Sequence, residues 1–160
     1  MLDTLARLEE TGISLLLRES GLAFFSSLTL HSLAMAFVVG INIAIALRLL
    51  GLMPKIALYR LGAFLPIHWW AVAIIFVSGI ALLVAYPAKA LTNPVFYIKL
   101  AALSTGLALT WRLQSHLEKH SSPNSSLLFG TAMLACWTTT ICAGRFLAYT
   151  NSILLASSFY

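Results

Sequence analysis

The sequence predicts an all-α integral-membrane protein, an antiparallel four-helix bundle preceded by an interfacial helix. Three observations predict it. Of the 160 residues, 60% are hydrophobic and only 9% charged, against roughly a quarter charged in a soluble domain. The apolar residues gather into four runs separated by short polar connections, and each run is near the roughly 20 residues that a helix needs to cross about 30 Å of hydrocarbon. Small residues recur at every fourth position in the first run (Ser32, Ala36, Gly40, Ala44) and the third (Ala102, Gly106, Thr110), which predicts packing faces where helices approach closely. Short loops make neighbours antiparallel, and no length is left over for a soluble domain.

Residues 1–20 alternate charge with Leu2, Leu5, Leu8, Ile13, Leu16 and Leu17. This stretch is too polar to cross and suits a helix along the headgroup boundary. It lacks a basic region leading directly into an apolar core and cleavage site, and is expected to be retained. The bundle is expected over residues 21–150. Its first crossing, 22–47, stops at Arg48 before the Gly51-Leu-Met-Pro54 break, and the second, 67–86, lies between Pro66 and Pro87. Asn93-Pro94 opens the third, 95–111, which ends at Arg112. The polar stretch Ser121 to Ser126 precedes the fourth, 127–149, and residues 151–160 are expected as a tail. Trp69, Trp70, Tyr59, Tyr86, Tyr97, Trp111 and Tyr149 fall near crossing ends, where aromatic belts form.

The net charge of +5 is spread between the apolar runs without a cluster, so orientation in the bilayer explains it better than nucleic acid. Arg48, Lys55, Arg60, Arg112 and Lys119 fall in loops one and three; Arg7, Arg18 and Lys89 fall on the other side. The positive-inside rule then places both termini on the periplasmic face of a bacterial inner membrane. All five acidic residues, Asp3, Glu9, Glu10, Glu19 and Glu118, lie outside the apolar runs, which removes paired-carboxylate catalysis and carboxylate proton relays. The sequence contains no nucleophile paired with a base and no nucleotide motif, so an independent enzyme is not expected. The two cysteines, Cys136 and Cys142, share one run and supply no disulfide framework.

Ionisable side chains inside a crossing are expensive and therefore point to function. Three stand out: His31, Lys99 and Arg145. By helical rise, His31 lies roughly 13 Å below the surface that carries the termini, and Lys99 and Arg145 roughly 6 Å below it. A structural reading has the two cations snorkel to the headgroups and His31 bond a carbonyl or hydroxyl such as Thr138 to Thr140. A functional reading places a ligand with an anionic end at Lys99 and Arg145 and its body on His31. A b-type haem has that shape, with iron on imidazole and propionates near basic side chains; a quinone head group on His31 is the other candidate. At this depth the other crossings offer Ser78, Gly79, Ser104, Gly106 and Thr140, small residues that leave room for a flat macrocycle but no second histidine. His68, at the start of the second crossing, and His116 and His120, in loop three, cannot face His31. A third reading joins His31 and Met35, one turn apart, with Cys142 as soft ligands for Cu(I). Asn42, on the His31/Met35 face, is expected to bond across helices deeper in the bundle.

The segments His31-Ser-Leu-Ala-Met35 with Gly40, Leu47-Arg-Leu-Leu-Gly51, Asn93-Pro94-Val-Phe-Tyr-Ile-Lys99 and Ala143-Gly-Arg145-Phe-Leu-Ala-Tyr149 resemble an uncharacterised family of four-helix bacterial inner-membrane proteins. That family is distantly similar to the copper-resistance D membrane domain and to small b-type cytochromes. The resemblance covers residues 25–149 and singles out the same His31, Lys99 and Arg145. Many family members carry an Asp just before Leu-Arg-Leu-Leu-Gly where this chain has Ala46, so any role of that Asp is absent here. Together these readings lead to an expected function as a small membrane redox or accessory subunit that binds b-type haem or quinone beside a larger electron-transfer complex. Copper handling and a cofactor-free scaffold are the alternatives. The expected partners are the lipid bilayer and other membrane subunits or a second copy.

Overall fold

The computed structural model describes residues 7–118 and 126–157, and every regular element among them is an α-helix. The short amphipathic helix α1 (Gly12–Glu19) is followed by α2 (Gly21–Leu49), α3 (Leu58–Gly62), α4 (Leu65–Ala85), α5 (Pro87–Leu91), α6 (Pro94–Glu118) and α7 (Ser126–Ser157). Four spans, Gly21–Leu49, Leu58–Ala85, Pro94–Leu117 and Ser126–Tyr149, are long and apolar enough to cross a membrane. Their outer surfaces carry the apolar side chains: Leu22, Trp70, Val77 and Leu128 are each more than 70% exposed. Lipid covers such faces where water would not.

Local chemistry sets the ends. Ser20 caps α2, its hydroxyl accepting from Ala23 N–H at 3.3 Å. At the other end Leu52 N–H reaches Leu47 O at 3.0 Å and Gly51 N–H reaches Arg48 O at 3.1 Å, with Gly51 at φ +80°. This is a Schellman termination, and its left-handed position suits a residue without Cβ. Asn93 caps α6 by accepting from Val95 N–H at 2.9 Å, and Pro94 occupies the first helical position, where no N–H is needed. Pro87 opens α5 in the same way, and Pro66 sits at the second position of α4, still within the turn that needs no N–H partner.

Two boundaries lie beyond the sequence expectation. Helix α6 runs through Arg112 to Glu118, and α7 continues past Tyr149 to Ser157. Neither Arg112 nor Tyr149 breaks a helix, and both helices continue past the apolar run because their backbone bonds are satisfied within the helix. Helix α3 lengthens the second span at its start and α5 lies in the connection that follows; neither was expected.

Helix α2 packs along α4 and α7, and α7 along α6, while α1 lies against α2 and α4. The α4 and α6 backbones make little contact; side chains bridge them, including Trp69 Nε1–H donating to Gln114 Oε1 at 2.8 Å. The core is built from Val38, Val39 and Ile45 of α2, Val72 and Ile75 of α4, Leu103 and Leu113 of α6, and Met133 and Trp137 of α7. Helix α1 is tied down by Ser14 Oγ–H to Ala85 O at 3.5 Å and by Glu9, whose carboxylate accepts from Ala88 N–H at 3.3 Å.

The two small-residue stripes differ. On α6, Gly106 and Thr110 are buried, and a Cβ at Gly106 would stand 3.0 Å from Trp137 Cε2. This stripe is a packing face, as expected. On α2, Ser32, Ala36 and Gly40 are exposed and nothing lies within 4 Å of a Cβ at Gly40, so the expectation of packing within the chain fails there. The reason is rotational. Ala34, Val38, Asn42 and Ala46 form the opposite face, about 200° around the helix, and Asn42 finds its partners only inside the bundle. Burying Asn42 turns the small stripe outward.

Candidate functional site: two histidines in the bundle

His31 belongs to the half of the bundle that carries α1 and the start of α6. Its ring is partly buried and bridges from α2 to α4: Nδ1 is 3.0 Å from Ser78 Oγ. Ser78 has one hydroxyl proton and directs it to Ile74 O at 2.6 Å. The remaining lone pairs of Oγ must accept, so the imidazole proton sits on Nδ1 and Nε2 keeps a free lone pair. The ring lies over Gly79, where a Cβ would stand 3.4 Å from Cε1. Thr140, one of the partners considered for His31, instead donates to Cys136 O in its own helix.

Lys99 of α6 lies close enough to His31 to act on it electrostatically, and its chain runs over Gly144 of α7, whose Cβ would stand 3.7 Å from Lys99 Cε. The fold therefore brings His31 within electrostatic range of Lys99 across helices far apart in sequence. Arg145 follows Gly144 but is exposed, so it shares their level without turning inward. Met35 packs against the core. Cys142 is exposed and lines an outer groove of about 300 Å³ between α6 and α7 with Val95, Ile98 and Phe146. Among the described residues no three His, Cys, Asp or Glu side chains are grouped to hold one metal ion.

The second histidine was not among the expected site residues. His68 does open the second crossing and does not face His31, but it is fully buried and bonded to α2. Asn42 is the hub. Its Nδ2 donates to Val38 O at 2.8 Å and to His68 Nε2 at 2.8 Å, and its Oδ1 accepts from Thr110 Oγ1–H at 2.6 Å. Because Val38 O can only accept, the amide orientation is determined; His68 Nε2 is then an acceptor, and the His68 proton sits on Nδ1. Asn42 thus bonds across the bundle as expected, to both α4 and α6. Trp137 of α7 stands edge-on to His68 with ring centroids 6.4 Å apart. It was missed because the aromatic-belt reading looks only at crossing ends, although a Trp at the centre of an apolar run is itself a signal. His68 was missed for the matching reason: the bundle core extends to the first turn of α4, a depth that Pro66 marks but does not measure. His116 lies on α6 because that helix is longer than expected; His120 lies outside the described residues.

No known protein family, curated protein or solved structure matches the chain.

Of the small residues at this depth, Gly79 lies under the His31 ring and Gly106 under Trp137.

Proposed function

We propose that the protein is a small redox or accessory subunit of the bacterial inner membrane that binds a quinone or quinol head group at His31 and Lys99 and serves a larger electron-transfer complex. One observation carries this reading: the Ser78 bond puts the His31 proton on Nδ1 and leaves Nε2 to accept, on a half-buried side chain within electrostatic range of Lys99. A quinol hydroxyl can donate to that lone pair, and an ammonium favours the oxygen anion left when the hydroxyl proton departs. A ligand dissolved in the bilayer reaches such a ring from the lipid side. Arg145, exposed at the same level, is free to meet headgroups. The excess of Lys and Arg in loops one and three orients this site toward the periplasmic leaflet, with both termini periplasmic. A redox role is in keeping with the distant similarity of the resembled family to small b-type cytochromes, and a b-type haem with iron on His31 is the other cofactor this site could take. Copper handling would require Cys142 to leave its outer groove.

Purification in mild detergent, followed by quinone extraction, an absorption spectrum and metal analysis, tests the reading. Quinone should co-purify, His31→Leu should remove it, and Lys99→Met should reduce it. Absence of quinone from the parent overturns the proposal, and a haem spectrum or stoichiometric copper would put one of those cofactors in its place. A scaffold function is the second reading, favoured by the exposed Ser32/Ala36/Gly40 stripe, which is shaped for close approach of another helix.

A further inference from the structure

The centre of the bundle contains two buried nitrogen donors, one on α4 and one on α7. His68 and Trp137 are both 0% exposed. His68 Nδ1 and Trp137 Nε1 have no hydrogen-bond partner among the described residues. Both are donors: indole Nε1 always carries a proton, and the Asn42 amide, by donating to His68 Nε2, puts the imidazole proton on Nδ1. The two rings meet edge to face, at 87° with centroids 6.4 Å apart. Two N–H···O bonds of about 2.9 Å to one oxygen join nitrogens roughly 5 Å apart, a separation that rings at this spacing allow.

We propose that His68 Nδ1–H and Trp137 Nε1–H together bind one buried water molecule. The chemistry selects water among acceptors. An anion would lose its hydration without meeting a countercharge, since neither donor is charged. A larger carbonyl ligand would need an opening, and both rings are sealed from the surface. A water accepts from two donors and turns its own protons to main-chain carbonyls, which keep a second lone pair inside a helix. Lipid offers no substitute partner at this depth. With the water in place, a continuous hydrogen-bonded chain runs from Trp137 on α7 through His68 on α4 and Asn42 on α2 to Thr110 on α6, touching every crossing once.

Solid-state NMR of the full-length, 15N-labelled protein in lipid bilayers tests this by measuring magnetisation transfer from water to side-chain nitrogens. His68 should show a protonated Nδ1 and an unprotonated Nε2, and both His68 Nδ1–H and Trp137 Nε1–H should receive magnetisation from water. Trp137→Phe, which keeps the ring and removes the donor, should lower the transfer to His68 Nδ1–H several-fold. The opposite His68 tautomer, or a dry N–H on either ring, overturns the proposal on the parent protein alone. Undiminished transfer to His68 in a folded Trp137→Phe variant overturns it as well.

Discussion

At the scale of single residues, Asn42 carries more of the bundle than any charged group. Its amide satisfies three partners on three helices at 2.6 to 2.8 Å, and removing it leaves His68 Nε2 unpaired, while the Thr110 hydroxyl keeps Gly106 O at 2.9 Å. Asn42→Leu, close in size, is expected to destabilise the protein by about 1–3 kcal/mol, toward the lower end because bonds between membrane helices average about 0.6 kcal/mol. Unfolding by denaturing detergent against a mild-detergent background measures it. A change within about 0.3 kcal/mol would mean that the unfolded chain satisfies these groups equally well in the membrane. The presence of a cross-helix partner for Asn42 was legible in the sequence, because an amide in an apolar run must bond to something. The identity of that partner was not, since His68 and Thr110 lie 26 and 68 positions away.

At the scale of helices, two glycines in similar small-residue stripes have opposite fates. The full burial of Trp137 over Gly106 leaves the indole no direction in which to yield to a Cβ 3.0 Å away. Gly106→Ala is therefore expected to cost about 1–3 kcal/mol through overpacking. Gly40 faces outward with open space around it, so Gly40→Leu should change the stability of the isolated chain by no more than about 0.5 kcal/mol. The same unfolding titration compares them; equal losses would refute the assignment of inner and outer faces. If the outer stripe of α2 receives a partner helix, Gly40→Leu will show itself in co-purification instead. Periodicity alone could not separate the two stripes, because a run that is apolar all round gives no sign of which face turns inward.

For the whole molecule, four spans put both ends of the bundle on one side, and the proposed topology makes that side periplasmic, opposite the cation-rich loops one and three. Cysteine substitution at Leu52 in the first loop and at Thr92 before α6, each exposed, probes the two faces. In intact cells a membrane-impermeant thiol reagent should label position 92 and spare position 52, with the native cysteines removed. The reverse pattern would invert the bundle and move the His31 and Lys99 site to the cytoplasmic leaflet.

Composition and the spacing of apolar runs determined the four crossings, their order and most of their ends, because each helix must satisfy its own backbone in lipid and needs a fixed length to do so. Pro66, Pro87, Asn93 and Gly51 set their boundaries through chain chemistry that acts over a few residues. The rotation of each helix about its axis was beyond the sequence, since lipid and core are almost equally apolar and hydrophobicity does not distinguish the faces. Only the tertiary structure decided it, through the polar groups. Ser78 accepts the N–H of His31, Asn42 draws His68 and Thr110 inward, Trp137 covers Gly106, and the face carrying Gly40 is left to the membrane.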